Sequence, residues 1–535
     1  MKRLRMFIVG LLLLCFYDAA IAQKKSADWP MFGQNPANTA TNPTETIIST
    51  SNVGSLAKKW AITTQGDVSA RAAVVNGVAY FPDWGGYLWA LNASNGQVIW
   101  SNPFSSYGLP APTHSRTTPA VVGGTLYLGT QEGAWLLAIN AATGQLLWKT
   151  QLESPANDPN AIISAAPAVV DGVVYTGVAS SEEGAVAFGS PCCKARGSVV
   201  AVNSATGKIK WQTYTTPPGY SGAGVWGSNL VVDSDSNTVF ASAGNNYSHP
   251  KPDAESSIPG TSYGDCISAP GGSAASCNSP NNYVDAILAL DTGDGRVKWV
   301  RKLVTWNQLG VANGSDDWNV ACIFLPPGNS ICPSNAGPDY DFGSAPNLIT
   351  YQTPKGPKTI LGAGQKSGIY YALDPKTGAT LWQTQVGPGS ALGGMEWGSA
   401  TDGKRIYVQI ANLYGIPSPV GSAGSWSALD PATGAILWQK ADPNGSVDIG
   451  PMTVANGVVY AGSMAGAANL PTMFALDAAT GATLWSFAAG SSVNAGATVV
   501  NGVVYWGSGY AHLGFPGFTG GLGTAKFYAF SLNGN

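Results

Sequence analysis

ALDPATGAILW, residues Ala428–Trp438, decides the fold, because the chain keeps returning to it. The phrase reads ALNASNGQVIW at Ala90–Trp100, AINAATGQLLW at Ala138–Trp148 and AVNSATGKIKW at Ala201–Trp211. It recurs as ALDTGDGRVKW at Ala289–Trp299, ALDPKTGATLW at Ala372–Trp382 and ALDAATGATLW at Ala475–Trp485. With Ala428–Trp438 that makes seven copies, and an eighth, AFSLNGN from Ala529, stops before its Trp. A fixed internal period of this kind is the signature of a repeat architecture.

Each copy has a local physical meaning. Alternating apolar residues lead in, as in Ile369–Leu373, which is a strand signature. Asp or Asn followed by Thr-Gly is turn chemistry, with Gly supplying a positive φ. A second short strand then carries the Trp. Upstream of most copies lies another hairpin, such as VVDGVVY at Val169–Tyr175 and VVNGVVY at Val499–Tyr505. Each unit is therefore about four strands, one propeller blade, and the tryptophans are expected to pack between neighbouring blades.

Outward from the repeats, Leu56-Ala57-Lys58-Lys59-Trp60 resembles the last strand of a unit, the piece missing after Ala529. This N-terminal strand is expected to complete the last blade and close the ring, leaving no free sheet edge. The fold expected is all-β, an eight-bladed β-propeller forming one domain over residues 23–535. Residues 1–22 read as a secretory signal peptide: Lys2, Arg3 and Arg5, then an apolar run from Met6 to Phe16, then Ala20-Ile21-Ala22. Its removal takes the formal net charge from −3 to −5. No basic patch appears, which argues against nucleic acid, and no later stretch is long and apolar enough to span a membrane.

The intervals between tryptophans are longest from Trp211 to Trp299 and from Trp299 to Trp382, so insertions crowd into blades three to five. Such loops usually carry function. Six cysteines follow the leader. Cys266 with Cys277, and Cys322 with Cys332, each bracket a short insertion and look like loop staples. Cys192 and Cys193 are adjacent, either joined to each other in a strained small ring or left as separate thiols.

The repeated Ala-x-Asp/Asn-x-x-Thr-Gly-x-x-x-Trp resembles the tryptophan-docking motif of quinoprotein alcohol dehydrogenases, with the polyvinyl alcohol dehydrogenase-like group nearest. The resemblance covers essentially the whole chain after the leader. It implies an eight-bladed propeller holding pyrroloquinoline quinone (PQQ) and Ca²⁺ near its axis. In that family a vicinal disulfide covers one face of the cofactor and a Trp lies under the other. Cys192-Cys193 resembles the cover, although it stands later in the chain than in methanol dehydrogenases, and Trp226 in GVWGSNLVVD resembles the floor.

By the same resemblance, Asn245 in AGNN is the amide ligand of the metal. Counting from Gly177 points to Glu182 as the ligating acid, and matching Ser180 to the family serine points to Glu183, which is preferred. DYDFGSAPNL from Asp339 resembles the segment with the catalytic base, a role that falls on Asp341 together with metal ligation. Asp316-Asp317-Trp318-Asn319 is a superficial rival inside an insertion. Lanthanide-dependent relatives carry an Asp two places after the base. Gly343 stands there and favours Ca²⁺. Arg116, Ser164 and Ser180 are expected to hold the cofactor, as are Glu396-Trp397, where relatives have Asn-Trp. Lys366 in GAGQKSGIYYALD matches the cation beside the reactive carbonyl.

The implied reaction is alcohol oxidation, with Asp341 as base and Lys366 and Ca²⁺ polarising the quinone. Secondary and polymeric alcohols, polyvinyl alcohol among them, are included. No Cys-x-x-Cys-His occurs, so electrons are expected to leave to an external cytochrome c in the periplasm or outside the cell. No Gly-x-Gly-x-x-Gly opens a helix, which leaves nicotinamide unsupported. The rival reading is a noncatalytic periplasmic propeller serving as an assembly scaffold, which needs none of Glu183, Asn245, Asp341 or Lys366.

Overall fold

The computed structural model describes residues 27–187, 189–248, 279–303, 338–514 and 517–535. Within them, eight antiparallel sheets follow one another as blades of an eight-bladed β-propeller. Blades one to eight span 73–103, 120–151, 161–214, 231–302, 347–385, 400–441, 453–487 and 498–532. The leader, both expected loop staples and Asp316 lie outside the described residues.

The Ala, Asp, Gly and Trp of the repeated phrase each have a job. Ala428 is fully buried and pairs across the ladder with Trp438, so only a small side chain leaves room for the indole. Six other copies make the same pair, for example Ala90 with Trp100 and Ala475 with Trp485. Asp430 closes the turn, its Oδ1 accepting from the amides of Ala432 at 2.8 Å and Thr433 at 2.9 Å. Gly434 takes φ +74°, and a Cβ there would stand 2.4 Å from the ring of Trp382 in the blade before. Glycine is thus required twice over, for the left-handed turn and for the neighbouring indole. Trp438 in turn reaches forward, its Nε1 donating to the Ala478 carbonyl of the next blade at 3.1 Å.

The ring closes as the truncated eighth copy implies. Leu56–Thr63 pairs antiparallel with Lys526–Leu532, and Trp60 stands opposite Ala529. Trp60 Nε1 then donates to the Ala93 carbonyl of blade one at 3.2 Å. The apolar core is divided among the blade seams. One cluster joins Val199 and Ala201 of blade three to Val239 and Leu288 of blade four, and another joins Phe527 of blade eight to Phe81 of blade one.

Residues 29–45 do something the repeat does not suggest. They run past the inner strands of seven blades, bonding in turn to Val74, Val121, Val232, Leu348, Thr401, Val454 and Val499. This strap ends on Glu45, whose Oε2 accepts from the Gly502 amide at 2.9 Å.

Candidate active site

At the hub, loops from blades three to six bring several of the expected residues together. Strand Val173–Ser180 runs into the short helix Glu182–Ala187. Asn245 follows strand Thr238–Ala243, and Lys366 follows strand Gly356–Gly364. Asp339 and Asp341 precede strand Asn347–Thr353.

Lys366 is the centre of this group. Its Nζ lies 2.8 Å from Asp341 Oδ1 and 3.1 Å from Asp339 Oδ2, with all three side chains buried. The same nitrogen stands 5.1 Å over the ring of Trp226. Trp226 Nε1 donates to Asp341 Oδ2 at 2.8 Å. That bond needs Gly244, where a Cβ would stand 2.7 Å from Asp341 Oδ2. Asn245 Nδ2 donates to Asp339 Oδ1 at 2.8 Å and to Glu183 Oε1 at 3.0 Å. Burial works against charge on Lys366, but Asp339, Asp341, Glu396 and Glu183 together outweigh it and hold the ammonium well above its ordinary pKa. Glu396 is fully buried, and that desolvation raises its pKa to about 7, against the pull of Lys366.

Glu182 and Glu183 divide. The Glu182 carboxylate accepts from the backbone amides of Lys194, at 2.8 and 2.9 Å, and Ala195, at 2.9 Å. It thereby ties down the loop just past Cys192 and Cys193. Glu183 turns towards Asn245. Ser180 Oγ accepts from the Glu182 amide at 3.0 Å and lies 3.2 Å from Asp158 Oδ1, so it starts the helix. Cys192 and Cys193 are joined, and Cys192 Sγ lies 3.6 Å from the Tyr247 carbonyl, two residues past Asn245.

The other expected residues ring the axis beside this group. Trp397 meets Trp226 edge-on at 5.2 Å. The Arg116 guanidinium stacks 3.4 Å above Trp397, and Ser164 Oγ donates to the Trp226 carbonyl at 3.0 Å. Gly343 packs against Trp226, where a Cβ would stand 2.7 Å from the ring.

Asp339 is the residue that sequence reasoning passed over. Its signal was present, since Asp339-Tyr340-Asp341 places two acids within three residues. A second group went unnoticed: the His512 ring stacks on Trp84 at 3.5 Å, and Asp67 Oδ2 accepts from the Ala511 amide at 2.7 Å.

A cation fits the donor chemistry here. One ammonium faces the carboxylates of Asp339, Asp341 and Glu183, an excess of negative charge that a divalent ion would relieve. Asp341 Oδ1 is buried, touches Lys366 and accepts no aligned hydrogen bond. Among the described residues no three His, Cys, Asp or Glu side chains converge as metal ligands, so a cation would also need the Asn245 amide oxygen. An exchange of the amide's two ends would offer that oxygen.

An eight-bladed ring with tryptophan docking and acidic loops over a hub tryptophan defines an eight-bladed propeller of the tryptophan-docked class. Residues 40–301 and 365–517 match the PQQ_2 family, described as outer membrane protein assembly factor BamB, and the chain belongs to that family. The polyvinylalcohol dehydrogenase of Sphingopyxis sp. (strain 113P3) is 28% identical over 363 residues, 60% of this chain and 48% of its own. That of Pseudomonas sp. is 28% identical over 361 residues, with the same two shares. The chain thus spans about half the length of these curated relatives. The fold is shared with quinohemoprotein alcohol dehydrogenase ADHIIG from Pseudomonas putida HK5, at a TM-score of 0.70 and 19% identity, over 96% of this chain and 81% of that one. The resemblance read from the repeats agrees with these relatives. Among the described residues no helix is long and apolar enough to cross a membrane.

Proposed function

We propose that this chain is a periplasmic PQQ- and Ca²⁺-dependent dehydrogenase that oxidises an alcohol and passes electrons to an external cytochrome c. The names of its relatives support an alcohol as substrate, and polyvinyl alcohol or a similar secondary, polymeric alcohol is the class proposed. The observation that carries the reading is the buried group in which Lys366 is held between Asp339 and Asp341 over Trp226.

Glu183, Asn245 and the Asp341 carboxylate would hold the cation, with Asp339 held beside them by Asn245 and Lys366 and Glu182 kept for the loop of Cys192 and Cys193. Trp226 offers a flat floor and the joined cysteines a cover. Arg116, Ser164 and Trp397 would receive the cofactor's polar rim. When bound, PQQ with Ca²⁺ supplies the hydride acceptor. Asp341 takes the proton of the substrate hydroxyl at its carboxylate, and the Trp226 indole fixes that carboxylate in place. Lys366 stays protonated between the two aspartates and offers a fixed positive charge where negative charge develops. Gly343 leaves no room for a further acid against Trp226, which keeps the proposal with Ca²⁺.

The test is reconstitution of the full chain with PQQ and Ca²⁺, followed by dye reduction across primary, secondary and polymeric alcohols. Turnover that needs both additions is expected. Tight PQQ binding with no turnover on any alcohol would reject the dehydrogenase. No PQQ binding would favour the assembly scaffold that the family description suggests.

A further inference from the structure

On the propeller axis, beside the group just described, lies a cavity of about 20 Å³, room for one water-sized sphere. Its wall includes Arg71, Arg116, Thr118, Trp397 and Asn494, and no carboxylate lines it. Phe32 of the N-terminal strap forms part of the same wall.

Arg71 is the unusual member. It is 1% exposed and makes no ion pair among the described residues. Its Nη2 donates to the Met452 carbonyl and to Thr453 Oγ1, both at 2.8 Å, and its Nη1 donates to the Phe32 carbonyl at 2.5 Å. Its Nε has no partner. Burial lowers its pKa to about 9, which leaves it charged at neutral pH. A buried charge without a counter-charge is costly, and neutral carbonyls compensate only in part.

The remaining wall is as poorly satisfied. Thr118 Oγ1, Trp397 Nε1 and both polar atoms of the Asn494 amide are buried and without partners. Thr118 and Asn494 are each 1% exposed. A native interior rarely leaves so many polar atoms unmet among the residues of one cavity wall. The set is rich in donors: a guanidinium N–H, a hydroxyl, an indole N–H and an amide NH₂. With two guanidinium groups on the wall and no acid, a small anion matches these donors.

We infer that this axial cavity binds one small monovalent anion, of the halide class, between Arg71 and Trp397. The inference stands on the apo chain and does not depend on the proposed dehydrogenase activity.

Crystals of the full chain grown in bromide, without cofactor, would be measured at the bromine absorption edge. An anomalous peak within hydrogen-bond reach of Arg71, Thr118 and Asn494 is expected. Persistence of the peak after PQQ loading is expected, and its replacement by cofactor density would assign the cavity to the cofactor site and overturn the inference. In solution, the melting midpoint should rise by roughly 1–3 °C per tenfold increase in chloride, and not in gluconate at equal ionic strength. Arg71→Leu also removes the bonds to Phe32, Met452 and Thr453 that tie the strap to blade seven, so Thr118→Val, which is nearly isosteric, and Asn494→Leu carry the test. Each should abolish the peak and flatten the chloride response. A water in place of bromide, or a chloride response unchanged in both variants, would overturn the inference.

Discussion

Around the belt of the propeller, Trp100, Trp148 and Trp438 do the same thing, each donating its indole N–H to a carbonyl of the next blade at 3.0, 2.9 and 3.1 Å. At the hub no two blades contribute alike: blade three sends Glu183, blade four Trp226 and Asn245, blade five Asp339, Asp341 and Lys366. The belt tolerates only what preserves the ring, so one phrase recurs. The hub needs different chemistry from each direction, so its residues sit where the repeat gives way. Stability should therefore fail at the belt and turnover at the hub.

The most severe way to break that division is removal of 28–60. This deletes Leu56–Trp60 of the closing strand, with its docking Trp, and the strap that bonds to seven inner strands. The open edge should pair between molecules, and aggregation is expected. Sedimentation of the truncated chain measures it. A soluble, cooperatively melting product would show that the ring does not depend on closure.

At the hub, Asp341→Asn should leave the fold intact and lower turnover by roughly 10²–10⁴-fold, the usual worth of a positioned base. Asp339→Asn sharpens the comparison, because Asp339 meets Asn245 rather than Trp226. It should chiefly raise the Ca²⁺ concentration needed for reconstitution. Asp316→Asn should stay within a few-fold of the parent. Steady-state rates over a Ca²⁺ titration separate the three. Normal turnover in Asp341→Asn with a dead Asp339→Asn would move the base to Asp339.

Back at the belt, Gly434→Ala combines a left-handed φ with a Cβ 2.4 Å from the Trp382 ring, and should cost roughly 2–4 kcal/mol. Gly445 is its control: φ is +71° there, but nothing lies within 4 Å of an added Cβ. Gly445→Ala should cost only the backbone share, roughly 1 kcal/mol. Equal losses in denaturant titrations would mean that the docked indole contributes nothing to the requirement for glycine.

This contrast also explains what the sequence made legible. The blade count and closure by Trp60 followed from periodicity, because Ala, Asp, Gly and Trp each serve a contact repeated around the ring. The strap of 29–45 was illegible: its bonds are mostly between backbone groups, which impose no residue pattern. Lys366 and Asn245 could be named only by resemblance, since one amine or amide carries no period. Glu182 and Glu183 could not be separated by counting. What separates them is the direction each side chain takes from a short helix, towards the amides of Lys194 and Ala195 or towards Asn245. Asp339 was overshadowed by Asp341, because identical acids two residues apart differ only in the partners the fold gives them.

The gentlest probe of the belt is Trp438→Phe. Phe keeps an aromatic ring opposite Ala428 and against Gly481, whose added Cβ would stand 2.6 Å from Trp438 Cε3. What is lost is the N–H donated to the Ala478 carbonyl and part of the ring area. The seam there is only partly buried, so water can reach the freed carbonyl and limit the penalty. A loss of about 1 kcal/mol is expected, the net worth of one such hydrogen bond. Because eight seams share the load, the same change at Trp382, whose N–H reaches the Pro431 carbonyl at 3.1 Å, should cost about as much. The double variant should sum the two losses, because each seam has its own carbonyl and its own glycine. Chemical denaturation of the two single variants and the double measures this directly. A double loss well above the sum would mean that strain passes around the ring from blade to blade, and the belt would then be one cooperative hoop rather than eight separate clasps.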